Sequence, residues 1–354
     1  MKQKFLVLFI SLFSAATCAI AQVELAVKVE QNPSEFLPGI INRPDLRVKE
    51  RIILTQRGAG INKPDTLSIT KYDNKGMESN NIGFEKNRRE SFTDYSWSAD
   101  RKTRYWKNFT KTRPENFSAN KTVYYKGEEI LWFENYEVVK GDTIDRPLVN
   151  FYYNDNGQLT RKKQSRKAVV FMNDSYSYNG EDMVRAEIKM RESVATHRYD
   201  YSYDKDHLPV KKQESFMRGD KEEVFRTTYF TYLNHKLISK TFPDYADPKL
   251  EAEIDYTYDK SGRISTIRAK CDTLYRNVRF FYDGSQLIRA EGEGNTMIKF
   301  SEIFWIYTRG SFNQKPEFTF SKELFYDQKG ALIKILDKIN GQQDAVTEYV
   351  LKYY

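Results

Sequence analysis

The chain has 354 residues and a formal net charge of +8, from 57 lysines and arginines against 49 aspartates and glutamates. Acidic and basic residues are mixed throughout, which excludes the one-sided positive surface of a nucleic-acid-binding protein. Aromatic residues make up 15% of the chain, and this richness favours a β protein over a disordered one.

The N-terminus has the pattern of a secretory signal peptide. Lys2 and Lys4 form a basic region, residues 5–13 are almost wholly apolar, and Ala19-Ile20-Ala21 has the small-x-small form of a cleavage site. We therefore predict a signal peptide at residues 1–21 and export to the periplasm, the outer-membrane surface or the extracellular space. No later stretch is apolar for long enough to span a bilayer as a helix, so we do not expect an integral membrane protein.

The two cysteines bear on anchoring and on stability. Acylation of Cys18 would make the chain a lipoprotein, but Ala15-Ala16-Thr17 lacks the leucine expected three places upstream, so cleavage after Ala21 is the preferred interpretation. Cys271 is then the only cysteine of the mature chain, so packing rather than a disulfide must stabilise the fold. We expect Cys271 to be a buried small hydrophobic residue.

Residues 22–65 show no repeat and are predicted to cap the domain that follows. Apolar residues alternate at 23–29, which predicts one strand, and prolines then break the chain into a loop. A second strand is predicted at 48–54. The terminal units of repeat proteins commonly depart from the repeat in this way.

A repeat occupies residues 66–354, and its clearest copy runs from Glu253 to Ile264. Alternating apolar residues lead to a Tyr-Asp pair, followed by two polar residues, a glycine, one polar residue and an aliphatic one. The last aromatic residue before each turn recurs about every 26 residues, which leaves room for two strands and two short turns. These aromatic residues are Tyr72, Trp97, Tyr125, Tyr153, Tyr178, Tyr203, Tyr232, Tyr258 and Tyr282.

The repeat predicts an all-β fold: an array of antiparallel β-hairpins forming a long curved or coiled sheet. Alternation places Ile254, Tyr256 and Tyr258 on one face. In each hairpin we call the strand before the Tyr-Asp turn the approach strand and the strand after it the return strand. The return strands are more polar, as in Arg161-Lys162-Lys163, so the other face should be solvated. Because basic residues would then occupy both faces, we do not expect an outer-membrane barrel.

The turn residues of the repeat have structural roles. An aspartate suits the first position of a type I turn, and a glycine suits the left-handed residue that closes a hairpin with a bulge. The copies at Tyr203 and Tyr282 are expected to have turns one residue shorter. Structural turn roles are assigned to Asp73, Gly76, Gly157, Asp204, Asp259, Gly262, Asp283, Asp327 and Gly330.

The pattern loosens after Tyr282. Strands are predicted at 304–307 and 349–354, with another copy of the repeat at 324–332. Residues 185–193 have good helix propensity, but their place in the period predicts a return strand. No helix is expected.

Tyr258-Asp259-Lys260-Ser261-Gly262-Arg263-Ile264 resembles the YD repeat of the Rhs family, whose core is Tyr-Asp-x-x-Gly-Arg-Leu/Ile. Tyr326-Asp327-Gln328-Lys329-Gly330-Ala331-Leu332 and Tyr153-Asn154-Asp155-Asn156-Gly157-Gln158-Leu159 resemble it in part. The resemblance implies stacked hairpins, which coil into a shell in large Rhs and teneurin-like proteins. For a chain this short, without a recognisable toxin domain, it implies an open sheet. Hairpin-repeat proteins of the MORN type are a second resemblance.

No catalytic motif, cofactor site or metal site is predicted. The three histidines, His197, His207 and His235, stand in different repeats and have no ligand partner at a metal spacing. No Gly-x-Ser-x-Gly elbow occurs, and Cys271 has no evident partner for nucleophilic chemistry.

The sequence favours an exported binding or structural module of the cell envelope. Aromatic rings stack on sugars, so a carbohydrate or protein ligand could contact exposed tryptophans. The candidate stacking residues are Trp97, Trp106, Trp132 and Trp305. Two alternatives are open: a polysaccharide-active enzyme using a carboxylate pair such as Glu222-Glu223, and a small Rhs-related toxin-handling or immunity protein.

Overall fold

The computed structural model describes residues 48–57, 65–73, 78–85, 88–100, 102–110, 113–124, 129–145, 147–191, 196–243, 249–296 and 314–353. The predicted signal peptide, most of the predicted cap and the strand predicted at 304–307 lie outside these ranges. No helix of the described residues is both long and apolar enough to cross a membrane.

The described residues form one sheet of 23 strands. In chain order the strands are β1 (Val48–Arg57), β2 (Asp65–Tyr72), β3 (Glu78–Glu85), β4 (Arg88–Trp97), β5 (Thr103–Thr110), β6 (Arg113–Tyr124), β7 (Ile130–Val139), β8 (Asp142–Asp145), β9 (Pro147–Tyr153), β10 (Leu159–Arg166), β11 (Val169–Asn179), β12 (Asp182–Met190), β13 (Thr196–Tyr203), β14 (Pro209–Arg218), β15 (Lys221–Leu233), β16 (Lys236–Pro243), β17 (Glu251–Tyr258), β18 (Ile264–Cys271), β19 (Leu274–Asp283), β20 (Gln286–Thr296), β21 (Gln314–Tyr326), β22 (Leu332–Ile339) and β23 (Gln342–Tyr353). The return strand predicted at 185–193 and the strand predicted at 349–354 correspond to β12 and the end of β23.

The sheet closes on itself. Consecutive strands pair in antiparallel fashion, and β23 pairs with β1, from Val48 opposite Tyr353 to Arg57 opposite Ala345. β7 pairs with β8 at one end and with β9 at the other, so 22 strands form a closed barrel. The all-β antiparallel prediction is confirmed, whereas the prediction of a long curved or coiled sheet is wrong. Closure satisfies the backbone groups that an open sheet would expose on both edges.

The face that carries the repeat tyrosines lines the interior of the barrel. Side chains on the concave face of a closed sheet converge and cover one another, whereas those on the convex face diverge. Ile254 and Tyr256 are each 3% exposed, while Thr257, which points the other way, is exposed. We call these the interior face and the outer face. Residues that are register partners on neighbouring strands lie on the same face, so the register assigns each residue of the ring to one of the two.

The interior is most tightly packed along β15–β23. Ile264 pairs with Tyr258 directly after the turn, and a register shift follows. This bulge brings Ile267 and Ala269, each 1% exposed, onto the same face as Ile264. A second apolar cluster lies along β7–β13 and contains Phe151, Tyr176 and Met183. Aliphatic residues that open the return strands therefore pack against the aromatic residues of the approach strands.

The character of the two faces changes along β2–β7. Here amides and hydroxyls occupy interior positions at the middle of the strands and form a ladder across strand pairs. Its hydrogen bonds join Asn81 to Thr70, Asn108 to Thr93 and Asn120 to Asn135, at 2.7 to 2.8 Å. Aromatic residues occupy the outer face of the same strands, including Phe92 and Phe109, whose rings stack at 5.1 Å. At the middle of these strands, polar residues therefore lie inside and aromatic residues outside, the reverse of the pattern seen in the clearest repeats.

Candidate functional site

The repeat tyrosines join each hairpin to the one before it. Tyr258 Oη donates to the backbone carbonyl of Leu237, and Tyr282 Oη donates to that of Ile264. The acceptor is the residue that opens the preceding return strand. Four further tyrosines make the same bond at 2.6 to 2.9 Å: Tyr153 to Ile130, Tyr178 to Leu159, Tyr203 to Met183 and Tyr326 to Leu287. The tyrosine of the motif is therefore explained by the packing of successive hairpins.

The turn aspartates are used by the backbone. Asp259 Oδ1 accepts hydrogen bonds from the amides of Ser261 and Arg263, each at 2.9 Å. Gly262 has φ +80°, and its amide donates to the Asp259 carbonyl. The same bonding recurs at Asn154, Asp204 and Asp327, with Gly157 and Gly330 at positive φ.

Two predicted turn residues differ from this arrangement. Asp283 ends β19 and pairs with Gln286 across a turn of two residues, as the shorter spacing predicted. Asp73 follows β2, but Gly76 lies outside the described residues.

Two sequence assignments need correction. The turn after Tyr203 is not shortened, because His207 takes the position of the glycine with φ +61° and Leu208 takes that of Arg263. Histidine bears this left-handed conformation at a steric cost that glycine avoids, so a glycine pattern misses the turn. Tyr125 lies outside the described residues, and Tyr124 pairs with Ile130 where a repeat tyrosine was expected.

Polar side chains also link neighbouring turns. Arg263 forms an ion pair with Asp259 at 2.6 Å, lies over the Tyr282 ring at 4.2 Å and donates to the Gly284 carbonyl. Gln158 donates to the Gly180 carbonyl and Gln286 donates to the Gly330 carbonyl, so each of them also bonds the turn that follows its own. His207 Nδ1 lies 2.7 Å from Asp182 of the preceding turn.

The pKa shifts at this rim follow from the same bonds. The hydrogen bond from Arg263 lowers the pKa of Asp259 below its ordinary value. The hydrogen bond to Asp182 raises the pKa of His207. Burial raises the pKa of Tyr178 and of Tyr326 to about 12. These groups stabilise the fold, and none of these shifts requires a catalytic role.

The described residues do not assemble a metal site, and the carboxylate pair singled out in the sequence is divided between the two faces of the sheet. No group of three or more His, Cys, Asp or Glu residues in these ranges could hold a metal ion. Glu222 and Glu223 are consecutive in β15, so their side chains leave opposite faces of the sheet. Cys271 is a buried free thiol, and the His197 ring packs on Phe216 at 4.2 Å.

An ion pair is buried on the interior face between β10 and β11. Lys162 Nζ lies 2.9 Å from Asp174 Oδ2, and the two side chains are 2% and 0% exposed. Arg161 and Lys163, on either side of Lys162, lie on the outer face, since they pair with Tyr152 and Asn150. The basic cluster of the sequence is thus divided between both faces, as predicted.

The structure does not bring the predicted stacking tryptophans together. Trp97 and Trp106 lie on the interior face of β4 and β5, where Trp97 stacks on Tyr124 at 5.7 Å. Trp132 lies on the outer face of β7, on the same face as Lys121. Trp305 lies outside the described residues.

Trp132 belongs to a surface that the sequence did not single out, which we call the aromatic–lysine face. It covers the outer face of β5–β10 and carries rings and ammonium groups, together with Glu134, the register partner of Lys121. Its members are Tyr105, Lys107, Phe109, Phe117, Lys121, Trp132, Tyr136, Tyr152 and Lys163. The period-two run Tyr105-x-Lys107-x-Phe109 was the available signal, because it places all three residues on one face.

Distances within the aromatic–lysine face show how its charges are held. Lys107 Nζ lies 4.0 Å from the centroid of the Phe117 ring, and Lys121 Nζ lies 5.1 Å from that of Trp132 and 5.8 Å from that of Tyr105. Lys163 Nζ lies 5.6 Å from the Tyr152 ring. Cation–π contacts of this kind orient the lysines without neutralising their charge.

A shallow depression of about 770 Å³ lies elsewhere, beside the turns of β17–β21. Its outer part is lined by Phe281, Ile288, Arg289 and Phe325. Arg289 lies 4.1 Å from the Phe281 ring and 3.6 Å from Glu291. The arginine is therefore already engaged by its neighbours.

No protein-family model matches the chain, and no curated protein sequence matches it. Three solved structures resemble it at low TM-scores. TcdB2-TccC3-TEV is 12% identical, with a TM-score of 0.39 over 84% of this chain and 19% of that chain. A porin-like protein from Bacteroides uniformis is 10% identical, with a TM-score of 0.28 over 74% of this chain and 95% of that chain. A porin-like protein from Bacteroides vulgatus is 9% identical, with a TM-score of 0.22 over 87% and 99%.

The chain spans about a fifth of the length of the TcdB2-TccC3-TEV structure. The resemblance to the YD repeat continues to rest on the sequence motif, since no family model matches.

Proposed function

We propose that the chain is an exported, non-catalytic binding protein of the cell envelope, and that its aromatic–lysine face holds an anionic polysaccharide. The supporting observation is the combination of part-exposed rings and lysines on adjacent strands. Tyr105 and Tyr152 are 40% and 43% exposed. Rings stack on the C–H faces of sugars, and ammonium groups attract carboxylate or sulfate substituents.

The charge of this face is suited to a polyanion. Lys107, Lys121 and Lys163 form no ion pair with any described residue, whereas Lys270, Lys334 and Lys352, in other sectors of the barrel, pair with Glu253, Glu348 and Glu50. Adjacent strands are about 4.8 Å apart, so a polymer lying across β5–β10 can contact rings and lysines on several strands at once.

The test is affinity electrophoresis of the mature protein in gels containing alginate, a polymer of uronic acids, with dextran as the neutral reference. Changing Lys107, Lys121 and Lys163 together to Gln should weaken retardation by alginate about tenfold or more, a loss of about 1.4 kcal/mol. Trp132→Ala should weaken it further, since the stacking platform is lost.

A matched control removes the same charge from the other sector, by changing Lys270, Lys334 and Lys352 to Gln. This variant should bind alginate almost as the unmodified protein does. Equal loss in both triple variants would show only net-charge attraction and contradict the proposal. Breakdown of alginate that depends on a carboxylate of this chain would favour the enzyme instead.

A further inference from the structure

The interior face of β4–β6 carries side chains in rows set by strand register. One row, next to the connection between β4 and β5, contains Trp97, Arg104 and Thr122, which are direct partners. The next row contains Tyr95, Trp106 and Asn120. Two indole rings, a phenol ring and a guanidinium group therefore share one patch of the interior wall.

This part of the interior is less tightly packed than that of β17–β20. Tyr95, Trp97, Arg104 and Trp106 point inward and yet are all partly exposed. Residues at interior positions of β17–β20, such as Ile267 and Ala290, are 1% and 0% exposed. Because both sets lie on the interior face, the difference means that the side chains of β4 and β5 are the more accessible to a ligand.

The patch combines aromatic faces with an oriented amide. Trp97 presents its ring rather than its N–H, since Nε1 is buried without a hydrogen-bond partner among the described residues. Asn120 is already oriented, since it donates to Asn135 at 2.8 Å and accepts from Thr122 at 2.6 Å. Aromatic faces with a few fixed amides are typical of sites for small polar ligands.

The Arg104 guanidinium favours a ligand that carries a carboxylate. Its guanidinium lies 4.7 Å from the Tyr95 ring and 5.8 Å from the Trp97 ring. No carboxylate of the described residues forms an ion pair with Arg104, whereas Arg185 pairs with Asp200 and Arg263 with Asp259. A planar guanidinium held against rings is well placed to receive a carboxylate through two N–H donors.

We propose that this interior patch is a second binding site, which takes a short oligosaccharide bearing a carboxylate, such as a uronic acid residue. The rings stack on the sugar and Arg104 receives its carboxylate. The Asn120 amide bonds a hydroxyl. The site is independent of the aromatic–lysine face, because it lies on the opposite face of the sheet.

The test is calorimetric titration of the mature protein with tri-galacturonate and, as the uncharged reference, maltotriose. We expect tri-galacturonate to bind in preference to maltotriose. Arg104→Gln should abolish that preference by weakening tri-galacturonate about tenfold or more, and Arg104→Lys should restore part of it. Trp106→Ala should weaken both sugars, since it removes a stacking surface common to them.

Two controls separate this site from the outer one and from misfolding. Trp132→Ala and the triple lysine variant at Lys107, Lys121 and Lys163 should leave tri-galacturonate binding unchanged, whatever their effect on alginate. Circular dichroism should show an intact β fold in the Arg104 and Trp106 variants. The proposal is overturned if tri-galacturonate gives no binding heat, or if its affinity is unchanged in folded Arg104→Gln and Trp106→Ala.

Discussion

At the scale of single residues, the motif is a set of bonds between successive hairpins. A tyrosine in an approach strand could fill the interior with its ring alone, yet six tyrosines also donate to a carbonyl of the preceding hairpin. The hydroxyl thereby finds a partner while the ring is buried, which is the usual requirement for a buried tyrosine. Phenylalanine could replace the ring but could not make this hydrogen bond to the preceding hairpin.

Tyr258→Phe should therefore lower the free energy of unfolding by about 1 kcal/mol, the typical net contribution of such a hydrogen bond. The measurement is urea denaturation followed by circular dichroism. Tyr152→Phe is the matched control, because Tyr152 is 43% exposed on the outer face. Its effect should be within about 0.5 kcal/mol. Equal effects of the two changes would remove the structural role assigned to the Tyr258 hydroxyl.

At the scale of the hairpin, one turn geometry tolerates several sequences. Asp259 and Asn154 both supply the oxygen that accepts two backbone amides, and Gly262 and His207 both supply a positive φ. The glycine leaves no side chain, whereas His207 reaches Asp182 and joins two turns. Neighbouring turns along this rim are thus coupled by whichever side chain the local sequence provides.

This coupling predicts how stability depends on pH. The raised pKa of His207 means that its contribution is complete below its ordinary pKa of about 6.5 and is lost as the pH rises through the higher folded-state pKa. The lowered pKa of Asp259 means that its contribution is present above about 4 and is lost as the pH falls through the folded-state pKa. Urea midpoints should therefore decline on both sides.

Asp182→Asn separates the two limbs of this profile. It removes the carboxylate that raises the pKa of His207, so the decline above about pH 6.5 should disappear while the acid limb remains. Because His207 is exposed and Asp259 is only partly buried, the changes in midpoint should be small. An unchanged neutral limb in Asp182→Asn would show that another group causes it.

At the scale of the whole molecule, the pairing of β1 with β23 decides the architecture. Nine residue pairs join the two strands, and Lys352 reaches Glu50 across the join. Residues 48–57, which belong to the segment predicted as a cap, contribute a strand of the ring. Without this pairing, β1 and β23 would be unprotected edges open to association with other chains.

A disulfide between register partners tests closure. Ile52→Cys with Val350→Cys should form a cross-link, because these residues face each other across β1 and β23. Closing so long a loop should stabilise the folded chain by about 4 kcal/mol, and the oxidised form should migrate faster in non-reducing gels. Ile52→Cys with Phe325→Cys is the control, since β21 lies three strands away. Failure of the first pair to cross-link would favour an open sheet.

The local structure could be predicted from the sequence. The Tyr-Asp-x-x-Gly pattern predicted the turn and the left-handed glycine, and alternation predicted that Ile254, Tyr256 and Tyr258 share a face. These features depend on steric and hydrogen-bond preferences within about ten residues, so they can be read from a short stretch. His207 was missed because its left-handed conformation has no glycine to mark it.

Closure, the inward direction of the tyrosine face and the grouping of side chains into sites depend on the complete fold. The pairing of Val48 with Tyr353 joins opposite ends of the chain, and no local preference specifies such a partner. The predicted tryptophans divided between the two faces for the same reason. Strand register, set by bulges and by neighbouring strands, placed Arg104 beside Trp97 and Lys121 beside Trp132. Candidate sites in this protein arise from register across strands, and register is a property of the closed sheet.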